Sequence, residues 1–443
     1  MEAYIIWLIT LVVFLGIFIP YFISFRKRQK QDLERKREAE SIGIGKPRSQ
    51  FPLIDNAACI GCGSCVEACP EGDVLGVVFG KATIINGERC VGHGYCELAC
   101  PVGALKVGLG DIKTRDDIPL MDKFNETTVK GLFIAGELGG ISLIKNAISQ
   151  GRMVVERIAS LMEETKVESI GNFDVIIVGG GPAGLSAALS AVDKELTYIV
   201  LDQQEPGGTI LQYPRKKLVM TQPVEIPLYG TLDKSEYSKE YLLETWCEIT
   251  KKYNLNINTE GQAQKVEKTT DGFVVTTPRR SFTSSYVVLA MGRRGTPRKL
   301  CVPGENHSKV LYQLVDAQSY NNNAILVVGG GDSAVEAAVG LARQENNRVT
   351  ISYRKPKFFR MKKKNEDRIN EMIKGKKIRP LFNSTVVEIR EKSVLIQMDS
   401  QISEIPNDYV FVFAGGIPPF DMLKAMGIKF GGEVKQLSET CTV

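Results

Sequence analysis

Seven of the ten cysteines lie between Cys59 and Cys100, in two runs whose spacing suits metal chemistry. The first run, CIGCGSCVEACP, is Cys-x2-Cys-x2-Cys-x3-Cys-Pro, and the second, CVGHGYCELACP, repeats it with His93 in one cysteine position. Four thiolates on small-residue turns favour a cubane iron–sulfur cluster, whereas a zinc site usually pairs two CxxC knuckles further apart. The spacing therefore predicts iron–sulfur chemistry in a reducing compartment rather than a disulfide scaffold.

Together the two runs resemble a bacterial two-cluster ferredoxin over residues 51–108. In that family the fourth cysteine of each run binds the other cluster. The resemblance implies two ligand sets: Cys59, Cys62, Cys65 and Cys100 for one 4Fe-4S cluster, and Cys69, Cys90 and Cys96 for the second. His93 admits three interpretations: a ligand of a four-iron cluster, a bystander beside a three-iron cluster, or a hydrogen-bond donor to an externally ligated one.

A strand, a glycine run and a small-residue helix follow in FDVIIVGGGPAGLSAALSA, from Phe173. Glycines in this context let the backbone approach a pyrophosphate at a helix N-terminus. The next strand ends at Asp202, where an acid can bind a ribose. The predicted dinucleotide-binding residues of this part are Gly179, Gly181, Pro182, Ala183, Gly184, Asp202, Gly208, Thr209 and Gly292.

A second unit of this kind starts at AILVVGGGDSAVEAAVGLA, and two such units in one chain are specific for a flavin and nicotinamide pair. With the strand that ends in Ala-Met-Gly at Gly292, the set resembles thioredoxin reductase-like flavoproteins over most of residues 109–443. The resemblance implies FAD and NADP (or NAD) as cofactors. The residues predicted to bind the nicotinamide dinucleotide are Gly329, Gly331, Asp332, Ser333, Arg354, Lys355 and Arg360.

The last three of these residues decide which nucleotide is expected. They stand where an NAD-binding strand would end in an acid, and their charges suit a 2′-phosphate, so NADP(H) is favoured over NAD(H). The alternative is that they are ordinary surface cations, most readily so for Arg360. The redox CxxC of thioredoxin reductases has no counterpart here, and Cys247, Cys301 and Cys441 are expected to be buried structural thiols.

The stretch ETTVKGLFIAGELGG, residues 126–140, resembles the ending of such an FAD domain, yet it precedes the glycine run at Gly179. The resemblance implies that Gly136 and Glu137 contact the flavin. We expect a circular permutation, in which the last strand and helix of the FAD domain come before its first strand, because such cuts are tolerated in surface loops. A chance Ala-Gly-Glu is the alternative.

The first 25 residues are apolar, and Ala3 to Phe25 carries no charge over a length that matches a bilayer core. We expect one transmembrane anchor rather than a cleaved signal peptide, which needs a basic start and a cleavage site. Arg26, Lys27, Arg28 and Lys30 follow the span, so the positive-inside rule places the rest of the chain in the cytoplasm, on the inner membrane. Residues 26–50 are predicted to be a charged, partly helical tether.

The net charge of +5 is accounted for by residues 26–37 alone, which hold seven basic and two acidic residues, so no basic footprint for nucleic acid remains. The predicted fold class is α/β: two Rossmann-like dinucleotide-binding domains, a small α+β ferredoxin-like domain and one transmembrane helix. The predicted domains are 1–25 (anchor), 26–50 (linker), 51–108 (ferredoxin), 109–170 (permuted FAD part), 171–300 (FAD), 301–407 (NAD(P)) and 408–443 (return to FAD).

These features predict a membrane-anchored oxidoreductase that exchanges electrons between NAD(P)H and an unknown one-electron partner through FAD and two clusters. Hydride transfer to a flavin needs no general acid or base from the protein, so no catalytic side chain is expected. The alternatives are a reductase of a separate disulfide substrate and a membrane redox sensor that does not turn over. A homodimer is left open.

Overall fold

The computed structural model describes residues 2–432, except 46, 48, 49, 142, 166–170, 216, 221, 222, 235 and 294. The chain divides into two compact units: residues 1–110 with 359–364 form the first, and residues 111–358 with 365–443 form the second.

The first unit consists of a long helix and a small α+β module. Its elements are α1 (Glu2–Ile42), β1 (Phe51–Ile54), α2 (Ser64–Glu67), β2 (Leu75–Val78), β3 (Lys81–Ile84), α3 (Tyr95–Leu98) and β4 (Leu105–Gly108). Strand β1 pairs antiparallel with β4, from Phe51 opposite Gly108 to Ile54 opposite Leu105, which brings the two ends of the module together. Strands β2 and β3 form a hairpin closed by the two residues Phe79 and Gly80.

Helix α1 is continuous from the apolar segment into the charged segment, with Pro20 inside it. Its residues from Tyr4 onward include an apolar stretch long enough to cross a membrane, of mean hydropathy 2.5 and with none of it buried. The charged part is helical, as predicted, but one of its faces packs on the module instead of facing solvent. Asp32 accepts a hydrogen bond from the Val77 backbone N–H (2.8 Å), and Ala39 is buried. The sequence did not indicate this packing on β2, because a run of charged residues does not show which face of a helix is buried.

The second unit begins with a portion built on one seven-stranded sheet. Its elements are β5 (Leu132–Ile134), α4 (Ile144–Thr165), β6 (Phe173–Val178), α5 (Pro182–Asp193), β7 (Tyr198–Leu201), β8 (Leu218–Met220), β9 (Val224–Ile226), β10 (Gly230–Leu232), β11 (Tyr237–Ser238), α6 (Lys239–Lys252), β12 (Ile257–Asn258), β13 (Lys265–Lys268), β14 (Phe273–Thr276) and β15 (Ser281–Leu289). The sheet order is β12, β7, β6, β15, β14, β13, and β5 lies beside the second half of β15.

Strand β5 belongs to this sheet although it precedes the other strands of the sheet in the chain. Leu132, Phe133 and Ile134 pair in parallel with Val287, Val288 and Leu289. All three β5 side chains are buried, Phe133 in the core on one face of the sheet, and Leu132 and Ile134 in the core on the other. Strand β5 has only three residues, and the helix that follows it begins at Ile144.

The remaining elements form the second dinucleotide-binding portion and the return. They are β16 (Thr296–Pro297), β17 (Val310–Leu311), β18 (Ala324–Val328), α7 (Asp332–Ala342), β19 (Arg348–Tyr353), α8 (Lys363–Lys374), β20 (Ile378–Phe382), β21 (Ser384–Ile389), β22 (Ser393–Met398), β23 (Gln401–Pro406), β24 (Tyr409–Val412), β25 (Gly416–Ile417) and α9 (Phe420–Ala425). A parallel sheet runs in the order β17, β24, β18, β19, β20, and β21 to β23 form an antiparallel layer beside it.

Candidate functional site

Two cavities in the first unit are lined by cysteines, and each collects one of the two ligand sets implied by the sequence. The first cavity is lined by Cys59, Cys62, Cys65 and Cys100. The second is lined by Cys69, Cys90 and Cys96, together with His93. Each cavity therefore takes three residues from one cysteine run and one from the other. The short helices α2 and α3 carry Cys65 and Cys96 on their buried faces.

Backbone amides point at several of these sulfur atoms. The Ala82 N–H lies 3.4 Å from Cys59 Sγ, and the Ala104 N–H lies 3.2 Å from Cys100 Sγ. Such donors stabilise a thiolate and raise the reduction potential of a cluster that it binds. Glycines 61, 63, 92 and 94, all at positive φ, make the tight turns between the cysteines.

Burial acts on the thiols in the opposite direction. Desolvation, assisted by neighbouring cysteines, raises the pKa of Cys65 and of Cys96 to about 11. Burial also raises the pKa of Cys69 and Cys90, whereas hydrogen bonds from Ser64 lower the pKa of Cys62. Most of these ligands are thus protonated at neutral pH without iron, so cluster assembly must release protons.

His93 has a partner that the sequence does not reveal. Its Nε2 lies 3.3 Å from Oε1 of Glu71, a buried carboxylate whose other oxygen accepts the Lys363 backbone N–H at 3.1 Å. Burial by itself would raise the pKa of Glu71, but these hydrogen bonds and nearby positive charge hold it below its ordinary value. A carboxylate bound to one ring nitrogen is the arrangement that orients a metal-binding histidine. The His93 ring also lines the second cavity, so ligation stays a prediction that this geometry favours.

In the second unit, the glycine run after β6 meets the carboxyl ends of the neighbouring strands. A Cβ on Gly184 would lie 1.8 Å from the carbonyl oxygen of Gly179, so that glycine is required for packing between loop and helix. A Cβ on Gly181 would meet only Gly208, at 3.8 Å, so this side of the loop is open toward the start of α5. Asp202 Oδ2 accepts the Gly180 N–H at 2.5 Å and so holds the loop in place.

Gly136 and Glu137, which come early in the chain, lie at the same sheet edge as the Gly179–Gly184 loop. The Ala135 N–H bonds the Leu289 carbonyl (3.0 Å), so Gly136 and Glu137 follow β5 at the edge of the sheet where the glycine run lies. Gly136 donates its N–H to Gln150 Oε1 at 2.7 Å, and a Cβ on Gly136 would lie 3.2 Å from the Ala183 Cβ. The sequence analysis did not single out Gln150.

Helix α4 crosses α5 at very short range. A Cβ on Gly151 would lie 2.1 Å from the Ala183 carbonyl oxygen, so this crossing admits only glycine. The sequence analysis did not single out Gly151, although a glycine inside an amphipathic helix is a signal for such close packing.

In the second glycine run, as in the first, one glycine is required by packing and another lies open at a helix start. A Cβ on Gly329 would lie 2.5 Å from the Phe413 carbonyl oxygen, whereas a Cβ on Gly331 would meet no atom within 4 Å. Helix α7 starts at Asp332, whose Oδ1 accepts a hydrogen bond from Asn365 (2.7 Å), and Ser333 is exposed beside it. The open glycine at the helix start fits a dinucleotide phosphate.

Two of the three cations predicted to select the nucleotide lie together after β19. Arg354 is exposed and Lys355 is half-buried, directly beyond the strand end at Tyr353. Arg360 is grouped differently. It belongs to the first unit, where its Nε lies 2.9 Å from Glu88 Oε2. This ion pair favours the alternative stated for Arg360, an ordinary cation rather than a 2′-phosphate ligand.

The isolated cysteines also depart from expectation, because Cys247 and Cys301 are exposed rather than buried. Cys247 lies on the outward face of α6, whose buried residues include Trp246 and Ile249, and Cys301 occupies a loop at φ 57°. Cys441 lies outside the described residues. Among the residues that the structure describes, no cluster of three histidine, cysteine or acidic side chains is arranged to hold a single metal ion.

Two glycine-rich strand–helix units on parallel sheets, each with an open glycine at a helix start, define a flavoprotein of the two-dinucleotide class. Residues 176–440 match the family model of the pyridine nucleotide-disulphide oxidoreductases, and residues 51–101 match a 4Fe-4S dicluster domain. The first match covers more than half of the chain, and the chain belongs to the pyridine nucleotide-disulphide oxidoreductase family. That match leaves out β5, which pairs with β15 in the sheet, and α4, which packs against α5.

Similar proteins include a bacilliredoxin reductase of Bacillus subtilis strain 168, 27% identical over 58% of this chain and 81% of that protein. A ferredoxin–NADP reductase of Acholeplasma laidlawii strain PG-8A is 29% identical over 58% of this chain and 78% of that protein. Among solved structures, a bacillithiol disulfide reductase of Bacillus cereus superposes with a TM-score of 0.54 at 26% identity, over 58% of this chain and 82% of that one.

These findings establish the broad activity. The protein is an NAD(P)H-dependent, FAD-dependent oxidoreductase that carries a 4Fe-4S domain. The glycine geometry fits both dinucleotides, because Gly181 and Gly331 leave room at the starts of α5 and α7 while Gly184 and Gly329 are held by packing.

Proposed function

We propose that this protein is a membrane-anchored oxidoreductase that exchanges electrons between NAD(P)H and a one-electron partner through FAD and two iron–sulfur clusters. The observation that carries the proposal is the pair of cysteine-lined cavities, one with four cysteines and one with three cysteines and His93, on the same chain as the flavoprotein unit. FAD supplies the conversion between a two-electron hydride and single electrons.

The residues of the second unit bind and orient in this proposal. The Gly179–Gly184 loop and the start of α5 hold the FAD pyrophosphate, and Asp202 fixes the loop through Gly180 while it offers its carboxylate to a ribose. Glu137, at the start of a short turn after β5, lies at the sheet edge where a flavin hydroxyl would meet it. Gly331 admits the nicotinamide dinucleotide at α7, and Arg354 and Lys355 select the 2′-phosphate.

The cysteine residues of the first unit hold the clusters. We assign Cys59, Cys62, Cys65 and Cys100 to the first cluster, and Cys69, Cys90 and Cys96 with His93 to the second. The imidazole is bound to Glu71, as expected for an oriented ligand. An imidazole in place of a thiolate raises cluster potential in the Rieske case, so the two clusters would have unequal potentials.

Helix α1 anchors the protein in the cytoplasmic membrane, with the rest of the chain on the cytoplasmic side. Its apolar part is exposed throughout, and four basic residues follow directly: Arg26, Lys27, Arg28 and Lys30. The test is fractionation of the full-length protein. It should require detergent for extraction, whereas a variant lacking residues 2–25 should be soluble and keep its flavin and iron.

The experiment on function compares two variants in which one cysteine is replaced by serine. Cys62→Ser removes a residue of the first cluster set, and Cys247→Ser on α6 is the matched exposed control. Each is mixed with NADPH anaerobically, and flavin bleaching and cytochrome c reduction are followed separately. We expect Cys62→Ser to keep flavin bleaching and to lose most cytochrome c reduction, while Cys247→Ser behaves as wild type. Equal cytochrome c reduction in both variants would show that electrons leave from the flavin directly.

A disulfide reductase is the second candidate, because similar proteins are named as reductases of bacilliredoxin and of bacillithiol disulfide. The sequence between Ser308 and Asn323 contains no cysteine, so electrons would have to pass from the flavin to the substrate without the usual dithiol. NADPH oxidation that depends on an added disulfide and is unchanged in Cys62→Ser would favour this candidate. Flavin reduction without turnover on any acceptor would instead favour a sensor.

A further inference from the structure

The turn of the β2–β3 hairpin contains an exposed phenylalanine, Phe79, whose presence neither folding nor solubility explains. Phe79 and Gly80 form its two-residue turn with φ of 51° and 73°. Turns with positive φ at both positions favour Asn-Gly, and a bulky side chain at the first position is strained. The Phe79 side chain is nevertheless 81% exposed, so it gains no packing in return.

Two further exposed apolar side chains lie on the loops of the first cavity. Ile60 is 62% exposed and Val102 is 43% exposed, and both line that cavity. The hairpin turn is directly beside them, because a Cβ on Gly61 would lie 2.0 Å from the Gly80 carbonyl oxygen. We call Ile60, Phe79 and Val102 the apolar rim.

The contacts of α1 show which way the hairpin points. Asp32 bonds the Val77 N–H in the middle of the hairpin, Arg35 pairs with Asp73 at its base, and the Ile44 carbonyl accepts the Glu88 N–H beyond the base. Helix and β2 therefore run in opposite directions. The hairpin turn extends from Asp32 toward the apolar end of α1.

The heights along the helix axis agree. Phe25, the last residue of the apolar segment, precedes Asp32 by seven residues, which is about 10 Å of helix. Phe79 and Gly80 lie two and three residues beyond Val77, which is about 7–10 Å of strand. The turn thus reaches the level of Phe25, where the hydrocarbon core gives way to a headgroup layer about 5–8 Å thick.

We propose that the apolar rim rests in the headgroup layer of the membrane that α1 spans, so that the first cavity, with its four cysteines, faces the lipid surface. Basic residues at the same level, Arg26 and Lys27 among them, complement the lipid phosphates. The second cavity, lined by Val74 and Leu75 at the hairpin base, lies further from the membrane. The inference rests on the proposed membrane span, and it places electron exchange by the first cluster at the membrane surface.

The test uses full-length protein in vesicles of phosphatidylethanolamine and phosphatidylglycerol, with photoreactive benzoylphenylalanine placed at one position at a time. The positions are 79 in the turn, 7 in the apolar segment, and 40, an exposed position on the same helix about 22 Å beyond Phe25. Lipid adducts are measured by mass spectrometry, and iron content is checked for each protein. We expect lipid adducts at positions 7 and 79 and none at position 40.

The outcomes separate the inference from the anchor on which it rests. Adducts at 7 but not at 79 would overturn the inference and leave the span intact. No adducts at position 7 would overturn the span and the inference together. Adducts at all three positions would show that α1 lies along the membrane surface, which would also overturn both. As a second variant, Phe79→Asn should keep its iron, because asparagine tolerates the positive φ; loss of iron would make Phe79 a structural residue and overturn the inference.

Discussion

Replacing Gly151 by alanine is expected to weaken FAD binding, although Gly151 belongs to a helix that precedes the glycine run in the chain. The new Cβ would lie 2.1 Å from the Ala183 carbonyl oxygen and 3.0 Å from the Ala187 nitrogen. Because both are backbone atoms of α5, no side chain can move aside, and α4 must shift away by about 1.3 Å to reach ordinary contact at 3.4 Å. Overpacking of this kind costs about 1–3 kcal/mol, and sometimes more.

Gly340→Ala is the matched control, since Gly340 lies inside α7 and a Cβ there would meet the Ala317 Cβ at an ordinary 3.5 Å. Both substitutions replace a helical glycine, so both gain up to about 1 kcal/mol in helix propensity. The difference between them isolates the steric cost at the α4–α5 crossing. For a unit of more than 300 residues, each kcal/mol changes the midpoint of thermal unfolding by about 1.5 °C.

The assay is flavin fluorescence, which rises when FAD is released, recorded during thermal unfolding of the full-length protein. We expect Gly340→Ala to release FAD at or above the wild-type temperature and Gly151→Ala to release it about 2–5 °C below the Gly340→Ala temperature. The ratio of flavin to protein after purification should fall in the same order. Equal release temperatures for the two variants would refute the reasoning, because α4 would then not be part of the FAD-binding fold.

Further predictions test single contacts. Arg354→Ala should weaken NADPH binding by about 1.5–3 kcal/mol and NADH binding far less, as measured by Michaelis constants, because only NADPH carries the 2′-phosphate. Glu71→Gln should change the EPR spectrum of the cluster in the second cavity and leave the other unchanged, because its carboxylate is bound to His93. Asp32→Ala should lower the thermal stability of the first unit, followed by iron release, because the Val77 N–H loses a charged acceptor. Glu305→Gln should destabilise the second unit at neutral pH, and this difference should shrink as pH falls below the ordinary glutamate range near 4.3, because hydrogen bonds from Tyr312 and three backbone amides hold the pKa of the buried carboxyl low.

The sequence determined the chemistry of the site because that chemistry depends on local spacing. Cysteines three residues apart lie on one tight turn whatever the rest of the chain does, so spacing alone indicates the three residues that each run places together. The exchange of Cys69 and Cys100 between the two sets was implied only by the resemblance to ferredoxins. A glycine run between a strand and a helix is equally local, and Gly181 and Gly331 lie at helix starts as expected. The apolar stretch of α1 follows from composition alone.

Only the tertiary structure decided which distant segments meet. Strand β5 pairs with β15, although more than 140 residues separate them in the chain. Both faces of β5 are apolar, and its side chains are buried in the cores on both sides of the sheet. The sequence suggested this pairing only through a resemblance. Nothing in the sequence predicted the bond between His93 and Glu71, because a buried carboxylate after a cysteine run has no periodic pattern.

The charged half of α1 shows the same limit most plainly. By composition, residues 26–37 are a solvated charge run, and a solvated tether would leave the ferredoxin module free to move. In the folded unit Asp32 contacts β2 and Ala39 is buried, since one side of a charged helix can pack while the other remains in water. Local pattern fixes which groups can bind iron or a dinucleotide, whereas burial and long-range pairing fix where those groups are held, because both depend on contacts between residues far apart in the chain.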